Sequence, residues 1–408
     1  MQLWQSGILL VLQNCFLVQG LRMATPLNPG PGSQAWEGVQ EMIRDHSYLK
    51  VNTPSLKISC MSDLHTDYKG NLEWINTWPD TRGDGATTVL IVAGDISCSL
   101  EKLEESFVCL QARYNHIVFV PGNHDLWTEG SNTSSPSDSA TKLKATIALC
   151  RRIGVIIDPA HFMVEGGGQD IWLVPLYSWY HASWDIEQNI GAANNFTKRW
   201  GDFLRCKWPE TLCSQEEFKT IDGTSTALAD AFGTLNDEFI AKLPDLKNSS
   251  VQPPLVISLS HFLPRIELCP EKRYLKEPYL TKVIGSDPLE RQVREIGSDV
   301  HIFGHTHISI DMEVEGVRYL QWPLGSVGEQ SRQTRQMKQE GPMLLYDSSE
   351  QGLAPIKPTM WGNYYRENER NPDEGASASW ALQSGELTEE EKEQVLHETK
   401  RVMAYDPY

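Results

Sequence analysis

The sequence predicts an α/β fold, and three features predict it. Short, continuous, β-branched apolar runs recur along the chain, segments of helical length and spacing separate them, and five of the runs are followed at once by a polar cluster. Runs of this kind, bounded by turn residues, are the pattern of strands buried on both faces. The clearest are Leu56–Met61, Val89–Ala93, Ile117–Val120, Ile171–Leu176, Leu255–Leu259 and Val300–Phe303. Glu101–Tyr114 and Thr141–Ile153 have helical spacing and lie between such strands. Met312–Val314 and Val317–Leu320 flank Glu315-Gly316, which predicts a hairpin.

Around this centre the chain divides into three. Residues 1–35 are expected to be leader and linker, since Leu27–Gln34 is rich in Pro, Gly and Ser and order is expected to begin near Trp36. The apolar stretch Ile8–Val18, interrupted by Gln13 and Asn14, is too short to span a bilayer and lacks a basic segment before it. A cytoplasmic protein is therefore favoured, with Met23 as a possible alternative start; secretion is the alternative if residues 1–20 are a cleaved signal. The sequons at Asn132, Asn195 and Asn248 do not decide between these. Residues 36–350 form the expected main domain. Within it, 178–254 loses the strand signal and carries Trp179, Trp184, Trp200 and Trp208, as either a cap over a site or a hydrophobic subcore. Residues 351–408 form an acidic extension with one expected helix, opened by the capping-box spacing of Thr388 and Glu391 and running to about Met403.

Composition narrows the function classes. The 408 residues hold 54 acidic and 36 basic side chains, a formal net charge of −18, with 40% hydrophobic and 22% charged residues. That is the composition of a globular protein with a sizeable core. The acidity argues against nucleic acid or an anionic surface as partner. Eight dispersed cysteines, none in Cys-x-x-Cys spacing, argue against a disulfide scaffold or a thiolate metal site. Cys206 and Cys213 could pair but are not expected to.

The chemistry lies in the five clusters. They are Asp63-Leu64-His65, Gly94-Asp95, Gly122-Asn123-His124-Asp125, Ser260-His261-Phe262 and Gly304-His305-Thr306-His307. Side chains two positions apart on an extended segment point the same way, which would let Asp63 and His65, and His305 and His307, converge. Sites in α/β sheets form at the carboxyl ends of strands, so five such ends supply one polar cluster. Carboxylate, imidazole and amide oxygen together suit divalent metals such as Mn, Fe, Zn or Ni. Seven candidate ligands (Asp63, His65, Asp95, Asn123, His261, His305 and His307) exceed what one ion with open positions needs. They suit two ions roughly 3.5–4 Å apart that share a carboxylate. Each cluster alone would be an ordinary turn or loop; the conjunction carries the inference. His46, His116, His161, His181, His301 and His397 have no partner pattern and are expected to be structural.

In order and composition these motifs resemble the calcineurin-like metallophosphoesterases over about residues 55 to 325. The resemblance implies a four-layer α/β/β/α sandwich, here with a Trp-rich insertion, and a dinuclear metal centre. It implies that Asp63, His65 and His307 bind one metal, that Asn123, His261 and His305 bind the other, and that Asp95 bridges them. His124 would act as general acid and Asp125 would orient it. The expected reaction is hydrolysis of a phosphate monoester or diester by a metal-activated hydroxide, with no phosphoenzyme. Ile96-Ser97-Cys98 follows Gly94-Asp95 where the Ser/Thr protein phosphatases have Asp-Arg-Gly, and Asp125 stands where they have Glu. Both departures favour the small-molecule branch and a small phosphate ester as substrate. Arg265, four residues after His261, could touch phosphate, although a structural role is favoured. The competing reading is a non-catalytic metal-binding scaffold on the same fold; such a protein would be expected to have lost ligands, and none is missing. Nothing in the sequence indicates the oligomeric state.

Overall fold

The computed structural model describes residues 31–44, 48–83, 85–128, 136–191, 193, 195–246, 253–330, 337–350 and 352–373. Its strands, in chain order, are β1 (Leu49–Thr53), β2 (Leu56–Met61), β3 (Thr87–Ala93), β4 (His116–Val120), β5 (Ala160–Val164), β6 (Ile171–Pro175), β7 (Leu255–Leu259), β8 (Val300–Phe303), β9 (Ile310–Val314), β10 (Val317–Gln321), β11 (Met343–Asp347) and β12 (Gly352–Leu353). They form a seven-stranded sheet in the order β1-β5-β6-β7-β8-β10-β9 and a five-stranded sheet in the order β12-β11-β2-β3-β4. Helices flank the two sheets, in agreement with the layered sandwich.

The six expected strands are all present, with β2, β7 and β8 at the expected bounds. β1, β5, β11 and β12 were not legible. β1 lies at a sheet edge with most of its side chains outside the core, β12 is only two residues long, and neither makes an apolar run. β5 is interrupted by His161, whereas β11 does hold an apolar run, Met343–Tyr346, with a bulge between Leu344 and Tyr346.

Parallel neighbours need crossover connections, and helices supply them. Lys69–Ile75 joins β2 to β3 and Leu100–Gln111 joins β3 to β4. The second helix starts where Ser99 accepts the amide of Lys102, and its Phe107 meets Phe119 of β4 edge to face at 5.1 Å. Ser139–Ile153 is capped by Asp138, which accepts from Thr141 N at 2.8 Å, and ends at Gly154, whose φ of 77° suits a residue without Cβ. The register of β2 on β3 (Met61 opposite Val92) and of β3 on β4 (Ala93 opposite Val120) brings three polar clusters to one level. β7 and β8, also parallel, deliver the other two from the second sheet. Backbone bonds stitch the sheets together at that end: Ser62 N to Trp322 O and Leu324 N to Ser62 O, both 3.0 Å.

The hairpin forms as expected, with Glu315 and Gly316 at φ of 50° and 79° in its turn. Helix Pro31–Arg44 begins inside the segment expected to be linker, with Trp36 packed on Phe232 at 5.2 Å. The segment assigned to an acidic extension is in part folded onto the domain. Helix Met360–Glu367 buries Trp361 and Tyr364, Tyr364 bonds Tyr274 at 2.8 Å, and Arg370 pairs with Glu187 at 2.9 Å. The helix expected from Thr388 and the leader over residues 1–20 lie outside the described residues. Among the described residues, no helix is long and apolar enough to cross a membrane.

From 178 to 254 the described residues contain helices and no strand. Trp179, Trp184 and Trp208 are buried, and Trp179 packs on Trp208, Phe218, Phe232 and Phe262 at 4.8 to 6.3 Å. Three of the four tryptophans are thus core. Trp200 differs, as described below. Cys206 and Cys213 are not joined to one another.

Candidate metal centre

The five clusters meet. Asp63, His65, Asp95 and His307 place one ligand atom each within 4.8 Å of one another, as do Asp95, His261 and His305. Asp95 belongs to both groups. Asn123 joins the second, its Oδ1 2.9 Å from His261 Nε2 and 2.9 Å from His305 Nδ1.

Convergence does not arise as strand alternation would have it. Asp63, His65, Asp95, His305 and His307 all have positive φ, between 42° and 77°. These are left-handed turns just past the strand ends, a conformation uncommon for residues with a Cβ and concentrated at functional sites. They are held by cross-loop bonds, including Asp63 N to Gly94 O at 3.1 Å, His65 N to Asp95 O at 2.9 Å and His305 N to Asp63 Oδ1 at 2.9 Å. Gly94 (φ 81°) is required here, since a Cβ would stand 2.2 Å from His261 Nδ1.

The outward nitrogens decide what the inward ones can do. His261 Nδ1 lies 3.0 Å from Ala93 O, and His305 Nε2 lies 3.0 Å from Val283 O. A carbonyl only accepts, so those nitrogens carry the protons and His261 Nε2 and His305 Nδ1 are bare. Burial holds His261 at about 4 and His305 well below its ordinary value, so both are neutral near pH 7. Asn123 Nδ2 donates to the carboxylate of Asp202 at 2.8 Å, which turns Oδ1 inward. Asn123 Oδ1, His261 Nε2 and His305 Nδ1 therefore form three acceptors 2.9 to 3.2 Å apart with no proton between them. Buried acceptors in contact are unfavourable unless a donor or cation joins them. The residues fit a divalent cation.

The other half is equally charged. Burial, with the carboxylates of Asp125 and Asp63 near it, pushes Asp95 well above the usual carboxyl range, so its anion needs a cation. His307 sits between Asp63 (3.4 Å) and Glu329 (2.8 Å). Burial works against its charge, yet the two anions draw it well above its ordinary value. His65 Nε2 is 2.9 Å from His307 Nε2, and burial, then His307, lowers His65 to about 4.

The two remaining predicted residues behave differently. The ring of His124 stacks on Trp127 at 3.5 Å, its Nε2 is 3.9 Å from Asp95 Oδ2, and its side chain is 27% exposed, so it can meet a ligand at the cluster. Among the described residues, no hydrogen bond joins Asp125 to the His124 ring. Its carboxylate accepts from the backbone amides of Asp95, Ile96, Ser97 and Gly122 at 2.8 to 3.0 Å, clamping the loop that carries Asp95. Arg265 is structural, paired with Glu267, Glu290 and Glu315 at 2.8 to 3.0 Å. His301 is a buried core residue between Ser258 and Ser260 hydroxyls, and His161 stacks on Trp172. His46 and His397 lie outside the described residues.

Sequence reasoning missed Asp202, Glu329 and Trp127. Glu329 also accepts from Ser326 N at 2.7 Å, and that Ser-x-x-Glu spacing marks a helix start in the sequence, but nothing there says the carboxylate meets His307. Asp202 lies in the insertion with no motif around it.

Two parallel-centred sheets with a carboxylate–imidazole cluster across their strand ends define a metal-dependent hydrolytic fold. Residues 56–309 match the family described as calcineurin-like phosphoesterase, and the chain belongs to that family. It is 31% identical over 126 residues to the [acyl-carrier-protein] phosphodiesterase PptH of Mycobacterium tuberculosis, an alignment spanning 30% of this chain and 37% of that protein. The crystal structure of phosphopantetheinyl hydrolase (PptH) from Mycobacterium tuberculosis superposes with a TM-score of 0.56 at 20% identity, covering 74% of this chain and 99% of that one, a likeness of fold.

Proposed function

We propose that this chain hydrolyses phosphate esters at a site for two divalent cations. Asp63, His65 and His307 would hold one, Asn123, His261 and His305 the other, and Asp95 both. The observation that carries this is the proton-free contact of Asn123 Oδ1, His261 Nε2 and His305 Nδ1. Bound there, such ions would supply Lewis-acid polarisation of phosphate oxygens and a more acidic water.

The chain's own residues do the rest. Asp125 and the Gly94 turn hold the Asp95 loop still, so the shared carboxylate keeps its position. His124 would give a proton to the leaving oxygen, or hydrogen-bond it as charge develops. Burial, then the surrounding imidazoles, hold His124 well below its ordinary value, so it would take up that proton only beside an anionic phosphate.

A small ester is favoured over a phosphoprotein. Ile96-Ser97-Cys98 places no arginine at the Asp95 loop, and the net charge of −18 disfavours a polyanionic macromolecule. The named activity of the Mycobacterium tuberculosis relative makes a phosphodiester the first class to test.

The test is metal analysis of purified protein together with aryl phosphate mono- and diester assays in Mn²⁺. Turnover is expected, and Asp95→Asn should lose bound metal and about 10²- to 10³-fold or more in rate, as removal of a group that stabilises transition-state charge does. Full metal content and turnover in Asp95→Asn would overturn the assignment. Tight metal binding with no turnover on any ester would favour the scaffold reading instead.

A further inference from the structure

Asn123 and Trp127 come from one loop after β4, yet both are gripped by the insertion. The carboxylate of Asp202, fully buried, accepts Asn123 Nδ2 at 2.8 Å and Trp127 Nε1 at 2.6 Å on one oxygen. Its other oxygen accepts Trp200 Nε1 at 3.0 Å, and that indole also reaches Tyr180 OH at 3.1 Å. Asp202 belongs to the short helix Gly201–Arg205, and the grip continues along it. Arg205 O accepts the amide and hydroxyl of Thr128 at 2.9 and 2.7 Å, and the Arg205 guanidinium lies 4.7 Å over the Trp127 ring. Gly201 makes room for that ring, since a Cβ there would stand 2.6 Å from Trp127 Cζ2.

An amide side chain is nearly symmetric in shape, so what it presents to a site depends on its partners. A carboxylate can only accept. Opposite Asp202, Asn123 must offer Nδ2, which leaves Oδ1 toward His261 and His305. Without that acceptor, Asn123 could turn over and donate Nδ2 to the bare nitrogens of both histidines, removing the reason for a cation. An amide at 202 would not release it, because the Trp127 N–H that shares the position would keep the amide oxygen there. Trp127, held by the same oxygen, is the surface on which His124 stacks at 3.5 Å.

We infer that Asp202 is a positioning residue of the insertion that sets the orientation of the Asn123 amide, and through Trp127 the placement of His124, making the second cation site and the proton-donating ring depend on one carboxylate. The inference rests on the two-cation reading above. It assigns the insertion a part in building the site.

The experiment is Mn²⁺ titration of metal-stripped protein by calorimetry, comparing wild type with Asp202→Leu, which removes the acceptor at similar size, Trp200→Phe and Gly201→Ala. Each is also assayed on aryl phosphodiesters of graded leaving-group acidity. Asp202→Leu should lose about 10- to 100-fold in affinity for one of two ions, the usual effect of losing an outer partner of a ligand. Trp200→Phe, which removes a donor that does not touch Asn123, should bind both ions as wild type does. Gly201→Ala, which crowds the Trp127 ring and touches no polar group, should keep both ions and show a steeper dependence on leaving-group acidity. Equal affinities in Asp202→Leu and wild type would overturn the inference, as would an equal loss in Trp200→Phe. If Asp202→Leu does not fold, an unchanged leaving-group dependence in Gly201→Ala would overturn it. A wild type that binds no divalent ion would instead overturn the two-cation reading on which the inference stands.

Discussion

His124 and Glu329 show how little of a side chain's role lies in its own chemistry. His124 owes its position to the Trp127 face, and its part-exposed ring faces the cluster without joining it. His124→Gln should therefore leave metal content unchanged while lowering kcat about 10²- to 10⁴-fold on alkyl phosphodiesters, and much less on nitrophenyl esters that need no proton. A uniform loss across leaving groups would remove the acid role. Glu329 bonds the outward nitrogen of His307, and although burial works the other way, His307 holds this carboxyl at about 2. Histidine ligands gain basicity and a fixed tautomer from such a partner, so Glu329→Gln should weaken metal binding about 10- to 100-fold by calorimetry. Unchanged affinity would make Glu329 a mere helix cap.

At the level of elements, the strand ends matter more than the strands. β2, β7 and β8 were legible to the residue because most of their positions are apolar and buried, with β7 and β8 buried throughout, and each ends at a polar cluster. The left-handed turns after them were not legible: Asp and His carry a much weaker signal for positive φ than Gly does, and the cross-loop bonds that hold them come from distant segments. Asp125 illustrates the same limit, since its motif position suggested a partner for His124 while its four amide donors come from two loops. His301 joins β7 to β8 through Ser258 and Ser260, and burial lowers it to about 3. In the unfolded chain it would titrate near about 6.5. The unfolded state thus binds the extra proton between those values: the contribution is complete above the unfolded value and is lost as pH falls, by up to about 1.4 kcal/mol per pH unit. Thermal melts from pH 8 to pH 5 should show a steeper fall for wild type than for His301→Gln. Parallel slopes would refute the assignment.

For the molecule as a whole, the site is a seam. It lies where the five-stranded and seven-stranded sheets are stitched at Ser62 and Trp322, with the insertion closing one side through Asp202. Cations bound there would join loops from both sheets and stabilise only the folded state. Chelation of purified protein should lower Tm, and excess Mn²⁺ should restore it. With ligand at about a hundred times Kd the expected gain is about 2.7 kcal/mol, several degrees for a domain of this size. A Tm indifferent to chelator and to Mn²⁺ would mean that the seam is held by protein contacts alone.

Local pattern was enough to reveal the α/β class, six strands and the inventory of cluster residues, because burial and turn chemistry are written in consecutive residues. Net charge said little about the site, where acids and imidazoles lie in a small buried volume unrelated to the sum over the chain. Tertiary structure decided which nitrogen of each histidine faces inward, which way Asn123 turns, and that Asp202 and Glu329 belong to the site at all. Those choices rest on hydrogen-bond partners brought together from as far apart as Asp63 and His305, or Asn123 and Asp202, and no local pattern encodes a partner that only the completed fold supplies.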